Sequence, residues 1–374
     1  MNFDFSDEQK QLREEARRFL ADRCPTTAVR AVLEGPEPYD KALWKGLAEM
    51  GFLGAAIPEE FGGVGLGHLE LCVIAEELGR VVAPVPMASS IYLAAEFLMV
   101  AGSQAQKETW LPKLASGEAI GTFALAEGVG RVTEKLIKAS VTGGKLSGTK
   151  VPVPDGDVAD LCVVVARSGG QVGLFLVDLN GPGVSREAVD SIDPSRSQAR
   201  ISFDGAPAEA LGPQSEGWKI AADVLDRAAV LVAFEQVGGA DRALEMGRDY
   251  ALERMAFGRQ IGSFQAVKHM LADMYVAATL ARSNAYYGAW ALSTGSPELS
   301  VAAATARVSA TDAFQHCAKN NIQVHGGMGF TWAFDCHLYY RRSNALALGL
   351  GSKSTWEDLL IDRLRKRNES PAAA

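Results

Sequence analysis

Residues 251–274, ALERMAFGRQIGSFQAVKHMLADM, gather an arginine, an aromatic and an amide around two glycines. Arg254, Phe257 and Gln265 flank a turn at Gly258 and Gly262, and together they offer a guanidinium fork for a phosphate, a ring face and an amide. The same spacing also suits two helices joined by a turn with a solvated arginine. A second stretch, QVHGGMGFTWAFDCHLYYRRSNALALGLGS at 323–352, opens on glycines and runs into aromatics and arginines, as a site for a large anionic ligand requires. Its last segment, ALALGLGS, holds no acid, base or nucleophile, so binding is legible there and chemistry is not.

The elements that must position these residues follow from periodicity. Residues 6 to about 120 read as helices with a period near 3.6, punctuated by EGPEP and PEEFGGVGLG, and Ser6 with Gln9 three residues on forms a capping box at the first of them. From Thr122 the pattern becomes short β-rich runs, KASVTGGKLSG and then LCVVVARSGGQVGLFLVDL, in which RSGGQ joins two apolar runs as a hairpin does. After EGW at 216–218 the helical period returns to the C-terminus. The expected fold is α+β: an N-terminal helical domain (1–120), a central antiparallel β domain (121–212) and a C-terminal helical bundle (213–374). Strands do not alternate with helices, which disfavours a doubly wound nucleotide-binding sheet. FGGVGLG at 61–67 has the spacing GGxGxG rather than GxGxxG and reads as a loop before the helix HLELCVIAEELGR.

Composition excludes several classes. A chain of 374 residues that is 48% hydrophobic and 22% charged is globular, and a net charge of −8 argues against broad nucleic-acid affinity. Five cysteines with no CxxC pair point to reduced thiols in a cytoplasmic protein, and scattered histidines (His316, His325, His337) to packing roles instead of a metal site. The acidic N-terminus resembles neither a secretory signal nor a transit peptide, and no apolar run reaches the roughly 18–20 residues that span a bilayer.

The 251–274 block resembles the acyl-CoA dehydrogenase family, whose C-terminal domain carries Arg-x-x-Phe-Gly followed by Ile-Gly-x-Phe-Gln. PEEFGGVG matches a family loop in the N-terminal domain, QVHGGMGF matches the family's Gln-x-x-Gly-Gly-x-Gly turn, and the helical, β, helical order matches its domain plan. The resemblance covers essentially the whole chain. It implies FAD bound across a subunit interface, with the flavin ring on the β domain of one subunit and the ADP part held by its neighbour. Arg254, Phe257 and Gln265 would hold the ADP part, and Gln323, Gly326 and Gly327 would complete that pocket, since glycines let backbone N–H groups approach a phosphate. Ser352 would add a hydroxyl where the family has threonine. On the flavin side, the family's Leu-Thr-Glu-Pro and Trp-Ile-Thr are here Leu125-Ala126-Glu127 and Pro152-Val153-Pro154, so the threonine hydroxyl and the tryptophan are missing.

The family reaction removes a Cα proton from an acyl-CoA thioester while the β-hydrogen leaves as hydride, and it needs one carboxylate base. Many members carry that base in a Glu-Gly-Thr triplet after Tyr-Arg-Asp. Aligning Tyr340-Arg341 with that segment puts Leu350-Gly351-Ser352 on the triplet, and leucine cannot accept a proton. Other members place the base on the long helix that opens the C-terminal domain, immediately before an arginine, and Asp226-Arg227 occupies that position within WKIAADVLDRAAVLVAFEQVGG. The apolar surroundings of Asp226 would raise its proton affinity as a base requires. A helix-surface ion pair with Asp223 and Arg227 is the other reading, and Glu235 is a competing carboxylate with a structural role. The resemblance thus implies α,β-desaturation of an acyl-CoA with electrons passed to an electron-transfer flavoprotein, in a homo-oligomer or a heterotetramer with a homologous subunit. Two alternatives remain: a half-site or non-catalytic subunit of a heteromeric dehydrogenase, and a different flavin reaction on an acyl-CoA.

Overall fold

A computed structural model describes residues 6–369. The helices are α1 (Asp7–Arg23), α2 (Thr26–Glu34), α3 (Lys41–Glu49), α4 (His68–Arg80), α5 (Glu96–Ala101), α6 (Gln104–Ala115), α7 (Gly217–Glu253), α8 (Gln265–Ser293), α9 (Leu299–His325), α10 (Cys336–Leu348) and α11 (Lys353–Glu369). A π-helical segment, Ala88–Ala95, runs directly into α5. The strands are β1 (Gly121–Ala124), β2 (Ser140–Thr142), β3 (Lys145–Pro154), β4 (Leu161–Ser168), β5 (Gln171–Asp178), β6 (Val184–Val189), β7 (Gln198–Pro207), β8 (Glu209–Leu211), β9 (Met255–Ala256) and β10 (Arg259–Gln260). Ser6 caps α1 with the expected box, Gln9 N–H on the Ser6 hydroxyl and Ser6 N–H on the Gln9 amide oxygen.

The chain folds into two compact units. The sheet unit comprises Ala28–Leu71 and Pro84–Ala228. Its sheet has the strand order β6-β7-β3-β2-β4-β5-β8, with β1 beside β4. Two hairpins turn on paired glycines at positive φ, Gly143–Gly144 between β2 and β3 and Gly169–Gly170 between β4 and β5, the geometry that two-residue hairpins need. The sheet is mixed, which corrects the expectation of a purely antiparallel one: β1 pairs parallel with β4 over Gly121–Ala124, and β2 meets β4 in parallel at Ser140 and Arg167. The physical reason is connectivity. The β2–β3 hairpin intervenes between β1 and β4, so no tight turn forces those two strands to run in opposite directions. β4 is buried from Leu161 to Ala166 on both faces, which is why it reads as an unbroken apolar run.

The helical unit comprises residues up to Thr27, Cys72–Ala83 and Ala229 onward. Within it α9 packs against α8, α10 and α11. The buried residues of α8 include Ala278, Ala281, Ala285, Gly288 and Ala289, those of α9 include Ala302, Ala303, Ala306, Ala310 and Ala313, and a Cβ at Gly288 would lie 3.3 Å from that of Ala306. Small side chains at helical spacing let the backbones of α8 and α9 approach closely. A lattice of charge ties the outer helices: Arg13 and Arg282 meet Glu76, Arg17 meets Glu77, Arg80 meets Glu245, and Arg282 also meets Asp241.

Among the described residues, no helix is long and apolar enough to cross a membrane and no group of three His, Cys, Asp or Glu could hold a metal ion. All five cysteines are buried and none is in a disulfide. The loop at 62–67 does not cradle a phosphate, because the N–H groups of Gly63, Val64, Gly65, Leu66 and Gly67 all donate to carbonyls of residues 54–58.

Candidate active site

In the helical unit, two segments leave the bundle at the same end. α7 finishes at Glu253 and α9 at His325, and the ring of Tyr250 stacks on that of His325 with centroids 4.1 Å apart while Phe334 sits edge-on to both. Beyond α7 the chain makes the β9–β10 hairpin, whose two turn residues are Phe257 (φ 51°) and Gly258 (φ 77°). A phenylalanine in the left-handed region is costly, and its ring is 96% exposed, so folding gains nothing from placing it there. Phe264 stands edge-on to it at 6.2 Å, under the guanidinium of Arg259 at 4.0 Å. Arg254 precedes the hairpin, with its carbonyl held by the Ile261 N–H at 2.8 Å. Its side chain is exposed, and among the described residues its guanidinium has no carboxylate partner. Gln265 opens α8, exposed.

Beyond α9 the chain enters the glycine turn. Gln323 is exposed, and Gly326 takes φ 60° and ψ −144°, a conformation that glycine adopts and other residues avoid. A Cβ at Gly326 or Gly327 would meet nothing within 4 Å, whereas one at Gly329 would strike the Ile322 carbonyl at 2.6 Å. The turn is thus anchored by Gly329 and open at 326–327. Arg254, Phe257, Gln265, Gln323, Gly326 and Gly327 come together at one end of one unit. A guanidinium with no carboxylate partner among the described residues and an exposed ring held in a strained turn fit the phosphates and the aromatic base of an ADP moiety, beside an exposed glycine turn whose Gly326 N–H donates to the Gln323 carbonyl. Ser352 serves the fold instead. Its hydroxyl caps α11, accepting the Thr355 N–H at 3.3 Å and meeting the Ser354 and Thr355 hydroxyls at 3.0 Å.

The turn between α10 and α11 is clamped from two sides. Arg307, fully buried on α9, donates to the carbonyls of Leu346 and Gly349 (2.6 Å) and to Gln236, and the Trp356 indole donates to the Leu350 carbonyl at 3.1 Å. Burial pulls the Arg307 guanidinium down to about 10. Between the clamps, Leu350 is held at φ 61°.

In the sheet unit, Asp226 is buried, 5% exposed, on the first turns of α7. The ion pair weighed from the sequence is present: Arg227 Nε meets Asp223 at 3.1 Å. Sequence reading missed what else Arg227 reaches. Its Nη1 lies 3.7 Å from Glu96, a buried carboxylate at the end of the π-helical segment, and Glu96 is 2.5 Å from His68 Nε2. No local pattern links positions 68, 96 and 227, so only the fold could reveal that cluster. Glu235 is fully buried in the helical unit, 3.5 Å from Arg342, which also donates to the carbonyls of Val82 and Ala83.

The Leu125–Glu127 segment and Pro152–Pro154 both lie in the sheet unit, joined by the Val151 N–H on Ala126 and the Gly128 N–H on Val151. Lys150, fully buried on β3, reaches Glu127 at 2.8 Å. Burial would push the Glu127 carboxyl up, but the Lys150 ammonium and the N–H groups of Ala139 and Lys138 together hold it below its ordinary value. Burial likewise draws Lys150 down, opposed by Glu127, and the ionised pair is the form that satisfies all of these donors.

Known proteins share both the sequence pattern and the fold of this chain. Residues 6–118 match the model of the acyl-CoA dehydrogenase N-terminal domain and residues 215–364 that of the acyl-CoA dehydrogenase C-terminal domain. The chain is 34% identical to acyl-CoA dehydrogenase IpdE2 of Mycobacterium tuberculosis, over 91% of this chain and 92% of that protein. Among solved structures it is similar to a variant of the Tcur3481–Tcur3483 steroid ACAD, with 33% identity, a TM-score of 0.88 and coverage of 97% of this chain and 99% of that one. It is similar also to the ChsE4–ChsE5 complex of Mycobacterium tuberculosis, with 29% identity, a TM-score of 0.89 and full coverage of both chains. The chain belongs to the acyl-CoA dehydrogenase family. It is an oxidoreductase of that type, with FAD as its cofactor.

Proposed function

We propose that the chain catalyses FAD-dependent α,β-dehydrogenation of an acyl-CoA thioester, with Asp226 as the base and an electron-transfer flavoprotein as the electron acceptor. The observation that carries this reading is the burial of Asp226 at the position immediately before Arg227 on the long helix, while Leu350 at the other family position has no proton acceptor. Arg254, Phe257, Gln265, Gln323, Gly326 and Gly327 would hold the ADP part of FAD; Ser352, whose hydroxyl caps α11, would act there only through the turn it stabilises. FAD when bound supplies the hydride acceptor for Cβ. The protein's own share is to take the Cα proton onto the Asp226 carboxylate, to exclude water from that carboxylate, and to hold the thioester.

Replacing Asp226 by Asn keeps the shape and removes the base. With flavin retained, acyl-CoA-dependent flavin bleaching should slow by about a hundredfold to ten-thousandfold. Unchanged bleaching would remove Asp226 from the role.

A second reading is favoured by a specific pair of observations. Leu350 replaces the usual base, and two similar structures are described as the two-component assemblies ChsE4–ChsE5 and Tcur3481–Tcur3483. In this reading the chain is one of two homologous subunits, and the partner supplies the missing half of each cofactor site. Native mass and flavin content of the chain alone and beside a homologous partner separate the two: a fully flavinated self-oligomer would sink the two-component reading.

A further inference from the structure

Lys150 is completely buried on β3, and its ammonium meets two oxygens, the Leu125 carbonyl at 3.1 Å and Glu127 Oε1 at 2.8 Å. The Glu127 carboxylate also accepts the backbone N–H groups of Lys138 at 2.8 Å and Ala139 at 3.0 Å. Two backbone bonds close the cluster, Val151 N–H to the Ala126 carbonyl at 2.9 Å and Gly128 N–H to the Val151 carbonyl at 3.0 Å. These six hydrogen bonds all converge on one four-residue segment, 125–128. Beside the pair, burial keeps the Cys162 thiol neutral, so no third charge competes for Lys150.

The energetics of this arrangement are odd for a purely structural device. A buried ion pair loses its hydration, and an apolar pair of the same shape is generally as stabilising or more so. The segment it holds is only half-buried, and the next residue, Val129, is fully exposed. Core stability therefore does not account for the pair, whereas a need to fix the backbone of 125–128 in one place does.

We propose that Lys150 and Glu127 form a cofactor-positioning strut, holding the 125–128 backbone rigid so that its polar groups meet the polar edge of the flavin ring, where Ala126 and Pro154 bring no hydroxyl. The strut rests on the reading that places the 125–127 and 152–154 segments on the flavin side. Neither residue touches reacting atoms; they act through the segment they hold.

The test uses the whole chain, prepared with a homologous partner if flavin loading requires one, as wild type, as the double variant Lys150→Met with Glu127→Gln, and as Glu127→Gln alone. The readouts are FAD affinity by fluorescence titration, the shape of the bound flavin's absorption band, and the urea midpoint of the flavin-free protein. The double variant should keep or raise the flavin-free midpoint while weakening FAD by about tenfold or more and blurring the flavin band, because the segment loses its charge-assisted anchors. Unchanged affinity and band would overturn the strut, whatever the midpoint does. If the double variant does not fold, Glu127→Gln carries the same expectation for FAD affinity and the flavin band, while its flavin-free midpoint should fall, because the buried Lys150 charge loses its partner. A wild-type chain that takes up no FAD with or without a partner would instead refute the flavin-side reading, and the strut with it.

Discussion

As the proposed base, Asp226 would have to satisfy two demands that pull in opposite directions, exclusion from water and a charged form that can accept a proton. Its side chain is 5% exposed, and the neighbouring Arg227 is shared between the carboxylates of Asp223 and Glu96. Phe257 shows a second kind of tension, an exposed aromatic in a left-handed turn where glycine would be cheaper. Phe257→Gly should therefore leave folding unharmed or improve it by about 1 kcal/mol, and weaken FAD binding severalfold. A fluorescence titration beside a urea melt checks both halves. Arg254→Met should loosen FAD by about tenfold without moving the melt, because its exposed guanidinium has no carboxylate partner among the described residues. Leu350 is strained between two clamps, so Leu350→Gly should raise the melting midpoint; a fall would show that its side-chain packing outweighs the backbone cost.

At the scale of elements, α4 and α7 cross where glycines remove the side chains. A Cβ at Gly79 would lie 1.9 Å from the Glu235 carbonyl oxygen, and one at Gly238 would lie 1.9 Å from that of Glu76. Gly238→Ala should cost about 3 kcal/mol or more, since neither backbone can yield, while Gly327→Ala, with nothing within 4 Å, should leave stability unchanged and test only the ligand face of its turn. The contrast between those two alanines, read by urea denaturation, separates packing glycines from binding glycines. The charge lattice makes a parallel case: Arg282→Met removes the guanidinium from Asp241 and leaves Glu76 with Arg13 alone, and should cost about 2 kcal/mol or more.

At the scale of the whole molecule, acid is the clearest lever. Glu127 and Glu245 are both held below the ordinary carboxyl value, burial opposing the shift and the partners Lys150 and Arg80 prevailing. A depressed folded-state value means that the unfolded chain binds more protons in that range, so the stability from these groups is present above the unfolded carboxyl value near 4.5 and is lost as pH falls through the lower folded values. The melting midpoint should drop steeply below about pH 4.5, and Glu245→Gln should flatten that drop. Asp241 is pushed up by burial against Arg282, so its contribution has the opposite sign and diminishes as pH rises above its ordinary range.

The order of helical, β and helical segments, the RSGGQ hairpin, the capping box at Ser6 and the two glycine-bearing turns were legible in the sequence. All of these are local: period, turn chemistry and short motifs act over a few residues, and a chain carries them in plain view. Only the tertiary structure decided that β1 enters the sheet parallel, because pairing across an intervening hairpin leaves no local mark. It also decided that Tyr250 and His325 bring the two glycine turns to one end of the bundle, and that Ser352 serves as a helix cap. The buried contacts Glu96–His68, Glu127–Lys150 and Arg307–Gly349 join residues 23 to 42 positions apart. Each depends on desolvation by the surrounding core, a quantity that no single position carries and that exists only once the chain has folded.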